Sequence, residues 1–475
     1  MHSAVQANWP TIIQGGMGVG VSGWPLARAV SLTGQLGVVS GTSLDSVLIR
    51  RLQLGDSDGR VRRALGHFPD ARVAERIVKR YFAEGGVGPE QAFLPTPMGV
   101  ATPEPERQAL AVAAAFVEVF LAKEGHTGVV GINLLEKIQM PASATLYGAM
   151  LAGVDYVLVG AGIPREIPGT LDTLARHEAV SPRLHAAGAL PTDDFRIPFD
   201  PRQICAEELP PLARPLFLAI IASVTLAITL VRKANGRVDG FVIEGPTAGG
   251  HNAPPRGAAT FNERGEPLYG PRDEVDLEKI DALGLPFWLA GSYGTRERVR
   301  AALATGAAGV QVGTAFALCR ESGIDPAIKS QLIEIIRAGH LEVRTDPLAS
   351  PTGFPFKVAQ VDGSVARDDV YDARPRRCDL GYLREPYRKE DGTLGYRCAA
   401  EPTKAFVAKG GVLEETAGRM CLCNGLLATI GLPQRRPEGL EPPLVTIGDD
   451  VTGVSEILGD RESYSAADVV QALLP

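Results

Sequence analysis

No stretch of this chain is apolar over the length that a membrane span needs. The longest such run, Leu216 to Val231, falls short of the roughly 20 residues required and holds Ser223 and Thr225 in its middle. It reads instead as a buried strand, Leu216 to Ala222, followed by a helix that Ser223 caps. Met1 to Pro10 has neither the basic start nor the apolar stretch of a secretory signal, so a cytoplasmic protein with no membrane partner is expected. Positive charge is also in deficit. With 48 Lys and Arg against 55 Asp and Glu, the net charge of -7 argues against a general nucleic-acid partner. The short clusters Arg60-Val61-Arg62-Arg63 and Arg374-Pro375-Arg376-Arg377 read as solvated surface. Internal repeats are missing apart from an alternation described below.

Cysteine is scarce, with six in 475 residues, and no CxxC knuckle occurs among them. Cys205 and Cys319 stand alone and read as small buried side chains. The other four, Cys378, Cys398, Cys421 and Cys423, gather in the last quarter with the spacing C-x19-C-x22-C-x-C. In a reducing compartment, thiols gathered in this way point to a tetrahedral zinc ion first and an iron–sulfur cluster second. Four unrelated thiols remain the alternative.

What the chain does have is a rhythm. A composition of 45% hydrophobic and 22% charged residues is that of an ordinary globular protein, and its length allows one large domain with a second unit. Short β-branched runs alternate with helical patterns, as in a parallel sheet covered by helices. Eight candidate strands are read: Thr11 to Gln14, Gly37 to Ser40, Val129 to Asn133, Tyr156 to Val159, Phe217 to Ala222, Gly240 to Glu244, Pro286 to Ala290 and Gly309 to Val312. Eight such units fit a closed (β/α)8 barrel, a TIM barrel of the α/β class, with a doubly wound open sheet as the competitor. Helices are expected at Trp24 to Thr33, Ala71 to Ala83, Pro105 to Ala122, Thr295 to Thr305 and Pro326 to Ala338.

Some segments exceed a minimal barrel. Insertions are placed at about 52–123 and 177–215, and Asn252 to Asp276 has the position of a lid. From about His340 the β/α rhythm stops, which divides the chain into a barrel at 1–339 and a Cys-rich C-terminal extension at 340–475, within about ten residues either way.

The residues that carry chemistry sit at strand ends. Ala248-Gly249-Gly250-His251 follows the sixth strand and offers bare backbone beside one titratable ring. Leu289-Ala290-Gly291-Ser292 and Val312-Gly313-Thr314 follow the seventh and eighth strands, where barrels commonly hold a phosphate. Gln14-Gly15-Gly16-Met17 ends the first strand and lets a flat ligand approach. Asn133 ends the third with an amide that can both donate and accept. Glu244 is read as a strand-end carboxylate paired with a surface Arg. Phe354, Phe356 and Tyr382 are read as core, with closure of the pocket as the alternative.

Five motifs now stand in order: Ile12-Ile13-Gln14-Gly15-Gly16-Met17, Gly131-Ile132-Asn133, Gly160-Ala161-Gly162-Ile163-Pro164, Ala248-Gly249-Gly250-His251 and Gln311-Val312-Gly313-Thr314. Together they resemble the nitronate monooxygenase (2-nitropropane dioxygenase) family and the similar FMN-dependent enoyl-acyl-carrier-protein reductases, over roughly Pro10 to Gly323. The resemblance implies an FMN-binding (β/α)8 barrel. It puts Gly291, Ser292, Gly313 and Thr314 at the FMN phosphate, and Gly16, Met17, Asn133, Gly249 and Gly250 near the flavin ring. His251 matches the active-site histidine.

The activity implied is oxidation of an alkyl nitronate with dioxygen to a carbonyl compound and nitrite. The alternative within the resemblance is NAD(P)H-dependent reduction of an enoyl thioester. A flavin-binding assembly protein that docks through its Cys-rich module, and an isomerase or dehydrogenase on the same barrel, are the readings of other classes. A homodimer is left open. Ser292 departs from the family, which more often has glycine there, and the Cys-rich extension has no counterpart in its compact members.

Overall fold

The computed structural model describes residues 9–205 and 209–475. Eight parallel strands form one sheet: β1 (Ile12–Gln14), β2 (Gly37–Ser40), β3 (Val130–Leu135), β4 (Tyr156–Gly160), β5 (Leu216–Ile221), β6 (Gly240–Glu244), β7 (Phe287–Ala290) and β8 (Gly309–Val312). Each pairs with its neighbour in chain order from β2 to β8, and β8 pairs back to β1 with Ile12 opposite Val310. The seam between β1 and β2 is closed by Leu36, which bridges Ile13. There Gln14 N donates to Leu36 O at 2.9 Å and Leu36 N donates to Ile12 O at 3.1 Å. The buried Gln14 amide adds a third tie by accepting from Val38 N. The sheet is therefore a closed (β/α)8 barrel, and the open doubly wound alternative falls.

Alternation along the strands sends one set of side chains inward, where Ile13, Val38, Leu158, Leu218, Val242 and Trp288 fill the barrel. Trp288 is fully buried, donates its indole N–H to Pro10 O at 2.8 Å and meets Trp9 edge-on, which plugs the N-terminal end. The opposite faces pack under the helices. Trp24–Ser31, Ala71–Tyr81, Pro105–Lys123, Arg296–Ala304 and Pro326–Arg337 form within two residues of expectation, and Ser223 caps Val224–Lys233 by accepting from Leu226 N. A helix at Leu44–Gln53 was not expected. Its preceding residue, Ser43, is of the capping type but adopts a left-handed φ of 57° and makes no side-chain cap.

The excess segments are tied down rather than loose. Within the 177–215 excursion, residues 180–199 fold back on themselves through bridges Val180–Phe199 and Arg183–Arg196. The 252–276 segment is pinned where Glu266 Oε1 accepts from Thr345 N at 2.9 Å. Beyond residue 340 come antiparallel hairpins, among them β9 (Val343–Asp346) with β10 (Phe356–Ala359), and short helices that include Leu422–Thr429 and Ala466–Leu473. Val445, Ile447, Tyr464 and Val469 of this extension join the same apolar cluster as the barrel's helices.

One surface expectation fails here. Arg374 is nearly buried and paired with Glu441, and Arg376 donates to the carbonyls of Ala399 and Thr416, so of this cluster only Arg377, in an exposed pair with Glu438, faces water. No helix among the described residues is long and apolar enough to cross a membrane.

Candidate active site

The C-terminal ends of the strands open into a cavity of about 440 Å³, within the usual range for small-ligand pockets. Every barrel residue singled out from the sequence lines it: Gly16, Met17, Asn133, Gly249, Gly250, His251, Gly291, Ser292, Gly313 and Thr314. Close approach explains the first glycine. A Cβ on Gly16 would sit 2.3 Å from Asn133 Cβ, so the β1 turn can lie against the end of β3 only without a side chain. Asn133 Nδ2 in turn donates to Leu158 O at 3.2 Å.

At the β7 and β8 end, Ser292 takes a left-handed φ of 60°, a conformation that favours glycine. The Ser292 carbonyl accepts from Arg298, which also pairs with Asp450 at 3.1 Å. That cation offsets the Asp450 carboxylate, which lines the same cavity. Thr314 Oγ1 accepts from Gly448 N at 3.0 Å, so the extension is part of this end of the cavity.

Three buried polar atoms on the cavity wall lack a partner among the described residues: Ser43 Oγ, Asn252 Oδ1 and Gln311 Oε1. Orphaned polar atoms at a cavity surface are places for a polar ligand. With bare glycine backbone on two sides and hydroxyls at the β7 and β8 turns, this donor and acceptor set fits a flat, phosphate-bearing cofactor such as FMN.

His251 is held from the extension. Its Nε2 lies 2.7 Å from Ser350 Oγ, its ring meets Phe356 edge-on at 4.8 Å, and its backbone bridges Phe356 of β10. Burial, and after it the charge of Lys137, lowers the imidazole to about 3, so the ring is neutral at any working pH. Phe354, Phe356 and Tyr382 all line the cavity, so the preferred reading of them as core alone is corrected. Tyr382 also anchors the extension, since its buried hydroxyl donates to Asp45 and lies 2.7 Å from Ser46 Oγ.

Glu244 is corrected too. It lines the cavity with no ionic or hydrogen-bonding partner among the described residues, and burial raises its carboxyl to about 7. A carboxyl raised from its ordinary 4.5 adds nothing unfavourable below that value and costs stability as pH climbs through 7. Glu244→Gln is therefore expected to raise Tm at pH 8 and to leave it nearly unchanged at pH 4. An equal change at both pH values would show that no buried charge is involved.

The four clustered cysteines do meet. All of them line one small cavity of about 10 Å³, hardly the space of one water, with Cys378 hydrogen-bonded to Cys398. Yet among the described residues no group of three or more His, Cys, Asp or Glu side chains is placed to hold a metal ion, so the expected zinc or iron–sulfur ligation is not met. Among the described residues no disulfide links any of the six cysteines. Burial pushes the thiols of Cys421 and Cys423 up, while the hydrogen bond with Cys398 lowers that of Cys378.

Comparison with known proteins agrees with the strand-end motifs. Residues 212–345, which span β5 to β8 and His251, match the nitronate monooxygenase family model. A probable nitronate monooxygenase of Bacillus subtilis is 38% identical over 97 residues, which is 20% of this chain and 26% of that protein. One from Staphylococcus haemolyticus is 30% identical over 117 residues, 24% of this chain and 31% of that protein. The matched stretches thus span between a quarter and a third of the relatives' length. Among solved structures, FabK from Thermotoga maritima aligns over 98% of this chain and 91% of its own, at 16% identity and a TM-score of 0.47. Nitroalkane oxidase from Streptomyces ansochromogenes aligns over 98% and 94%, at 14% identity and a TM-score of 0.47. The family resemblance read from the motifs is borne out over the matched stretch.

Proposed function

From a barrel whose β5 to β8 stretch matches the nitronate monooxygenase family, we propose that this protein is an FMN-dependent oxidoreductase. It oxidises an alkyl nitronate with dioxygen to a carbonyl compound and nitrite, with His251 as its proton-transfer residue. The observation that carries this reading is the position of His251, whose neutral ring faces an apolar chamber directly beside the glycine-bearing strand ends.

FMN bound there supplies the redox step. The Gly291-Ser292 and Gly313-Thr314 turns would hold its phosphate, and Gly16, Met17, Asn133, Gly249 and Gly250 would stand beside its ring. Val19, Ile138, Phe354, Phe356, Leu383 and Leu426 wall the remaining space, which receives an alkyl chain and keeps water out. A neutral imidazole presents one N–H donor and one lone pair, and so can bind a nitronate oxygen or handle a proton at the adjoining carbon.

The test is the absorbance spectrum of the FMN-loaded protein without oxygen. Addition of an alkyl nitronate is expected to bleach the flavin bands, NADPH alone is expected to leave them, and readmitted oxygen should yield equal amounts of nitrite and carbonyl product. Bleaching by NADPH with reduction of an enoyl thioester would replace this reading by the reductase. Failure to take up FMN would remove both.

A further inference from the structure

As a proton acceptor His251 has a difficulty. A ring lowered to about 3 does not keep a proton taken from a carbon acid at neutral pH. The extension, however, provides a path onward. His251 Nε2 lies 2.7 Å from Ser350 Oγ, and Ser350 Oγ lies 2.8 Å from Thr352 Oγ1. Lys137 Nζ donates to Thr352 Oγ1 at 3.4 Å. Ser350 is fully buried and Thr352 partly so, in the turn between β9 and β10, while Lys137 follows β3.

We propose that Lys137 is the proton store of this site, connected to His251 through the hydroxyls of Thr352 and Ser350, and that the relay lets the protein take the α-proton of a neutral nitroalkane. The proposal rests on the nitronate reading above and assigns positioning residues for its proton step, which arises only when the nitroalkane, the conjugate acid of the nitronate, is the form bound.

The surroundings of Lys137 suit that work. Its ammonium sits 2.8 Å from the centre of the Phe354 ring, and no carboxylate forms an ion pair with it among the described residues. Glu136 is the one acidic group that opposes the effect of burial, and it faces His185 and Gln139 on its other side. Burial lowers Lys137 to about 7, so free amine and ammonium coexist near neutral pH. Glu244, Tyr293, Tyr382, Cys423 and Asp450 are the other titratable groups on this cavity. Tyr382 is bound to Asp45 and Asp450 to Arg298, and none of the five is hydrogen-bonded to the relay among the described residues.

The proton count closes. The α-proton passes to the His251 ring nitrogen that does not face Ser350, and the Nε2 proton moves to Ser350. The Ser350 proton moves to Thr352, and the Thr352 proton to the Lys137 amine. The C–H electron pair stays with the nitro group, so neutral nitroalkane and amine become nitronate and ammonium. Both hydroxyls end as they began, and Lys137 releases its proton to water. Lys137 acts through His251 and is a positioning and proton-storing residue, not one that touches substrate.

The test compares freshly dissolved neutral nitroethane with preformed ethylnitronate in Lys137→Met, Thr352→Val and Glu244→Gln. With the neutral substrate, kcat/KM is expected to rise through about pH 7 as the Lys137 amine forms. Lys137→Met and Thr352→Val should each lose about tenfold or more there and stay within about twofold on the nitronate.

A second readout needs no turnover. The NMR shift of the His251 ring should move as Lys137 titrates, and this movement should vanish in Lys137→Met. Unchanged rates and profile in Lys137→Met, or an inflection that disappears only in Glu244→Gln, would overturn the relay and leave the nitronate reading standing. A wild type inert toward the nitronate would sink that reading, and a ring shift insensitive to Lys137 would overturn the relay whatever the turnover.

Discussion

Replacing His251 by alanine is expected to lower nitronate turnover by about 10²- to 10³-fold while FMN stays bound, the usual weight of one hydrogen-bond donor placed on a reacting oxyanion, here the nitronate oxygen. The two effects separate because different elements carry them. The phosphate end is built from the β7 and β8 turns and Gly448, none of which contacts the imidazole. The fold should survive, since the lost contacts are one hydrogen bond to Ser350 and an edge-on meeting with Phe356.

The loss should also be the same at pH 6 and pH 8. Burial and Lys137 keep the ring neutral across that window, so no change in its charge occurs there. Steady-state rates of the FMN-loaded variant at both pH values, with flavin content read from absorbance, decide the matter. A variant that keeps its rate would mean that His251 only lines the chamber. A variant that loses FMN together with rate would move the histidine to the cofactor.

How far this was legible in the chain depends on which side of residue 340 a residue falls. The eight strands could be read because β-branched runs bounded by glycine recur at intervals, and each strand lies within two residues of its expected place. The barrel's own site residues could be read for the same reason, since strand-end glycines mark where backbone meets ligand. Ser350, Thr352 and Gly448 could not. They lie about 100 to 200 residues beyond His251 in a segment without a period: the β9–β10 hairpin, returning to Gly250, Asn252 and His251, sets Ser350 and Thr352 behind the imidazole, and Gly448 joins the cavity wall through its bond to Thr314.

Lys137 looks like any solvated lysine after a strand, and only the later arrival of Phe354 and Thr352 buries it. For Glu244, a surface arginine partner was a reasonable expectation for a strand-end carboxylate, and only the cavity at the barrel mouth removes it. The cysteines illustrate the opposite case. Their crowding in sequence did predict their meeting in space, but spacing says nothing about whether thiols point at a common centre.

The second large effect is expected at Gly249, where barrel and extension touch backbone to backbone. An added Cβ would lie 2.8 Å from Ile447 C and 2.9 Å from Gly448 N. Backbone atoms cannot swing aside as a side chain can, so Gly249→Ala must move either the β6 turn or residues 446–448. Such overpacking typically costs about 1–3 kcal/mol. The displacement has a second consequence. Gly448 N donates to Thr314 Oγ1 and Gly250 N donates to Thr446 Oγ1, both at 3.0 Å, so pushing the two segments apart breaks the ties that shape the proposed phosphate end. We therefore expect a lower Tm without FMN and an FMN dissociation constant raised by about tenfold or more, equivalent to about 1.4 kcal/mol. Fluorescence titration of the flavin-free variant measures the second quantity directly. If Tm falls while FMN affinity holds, residues 446–448 only buttress the barrel. If both fall together, the extension is an integral wall of the cofactor site, which is the reason this barrel would carry it.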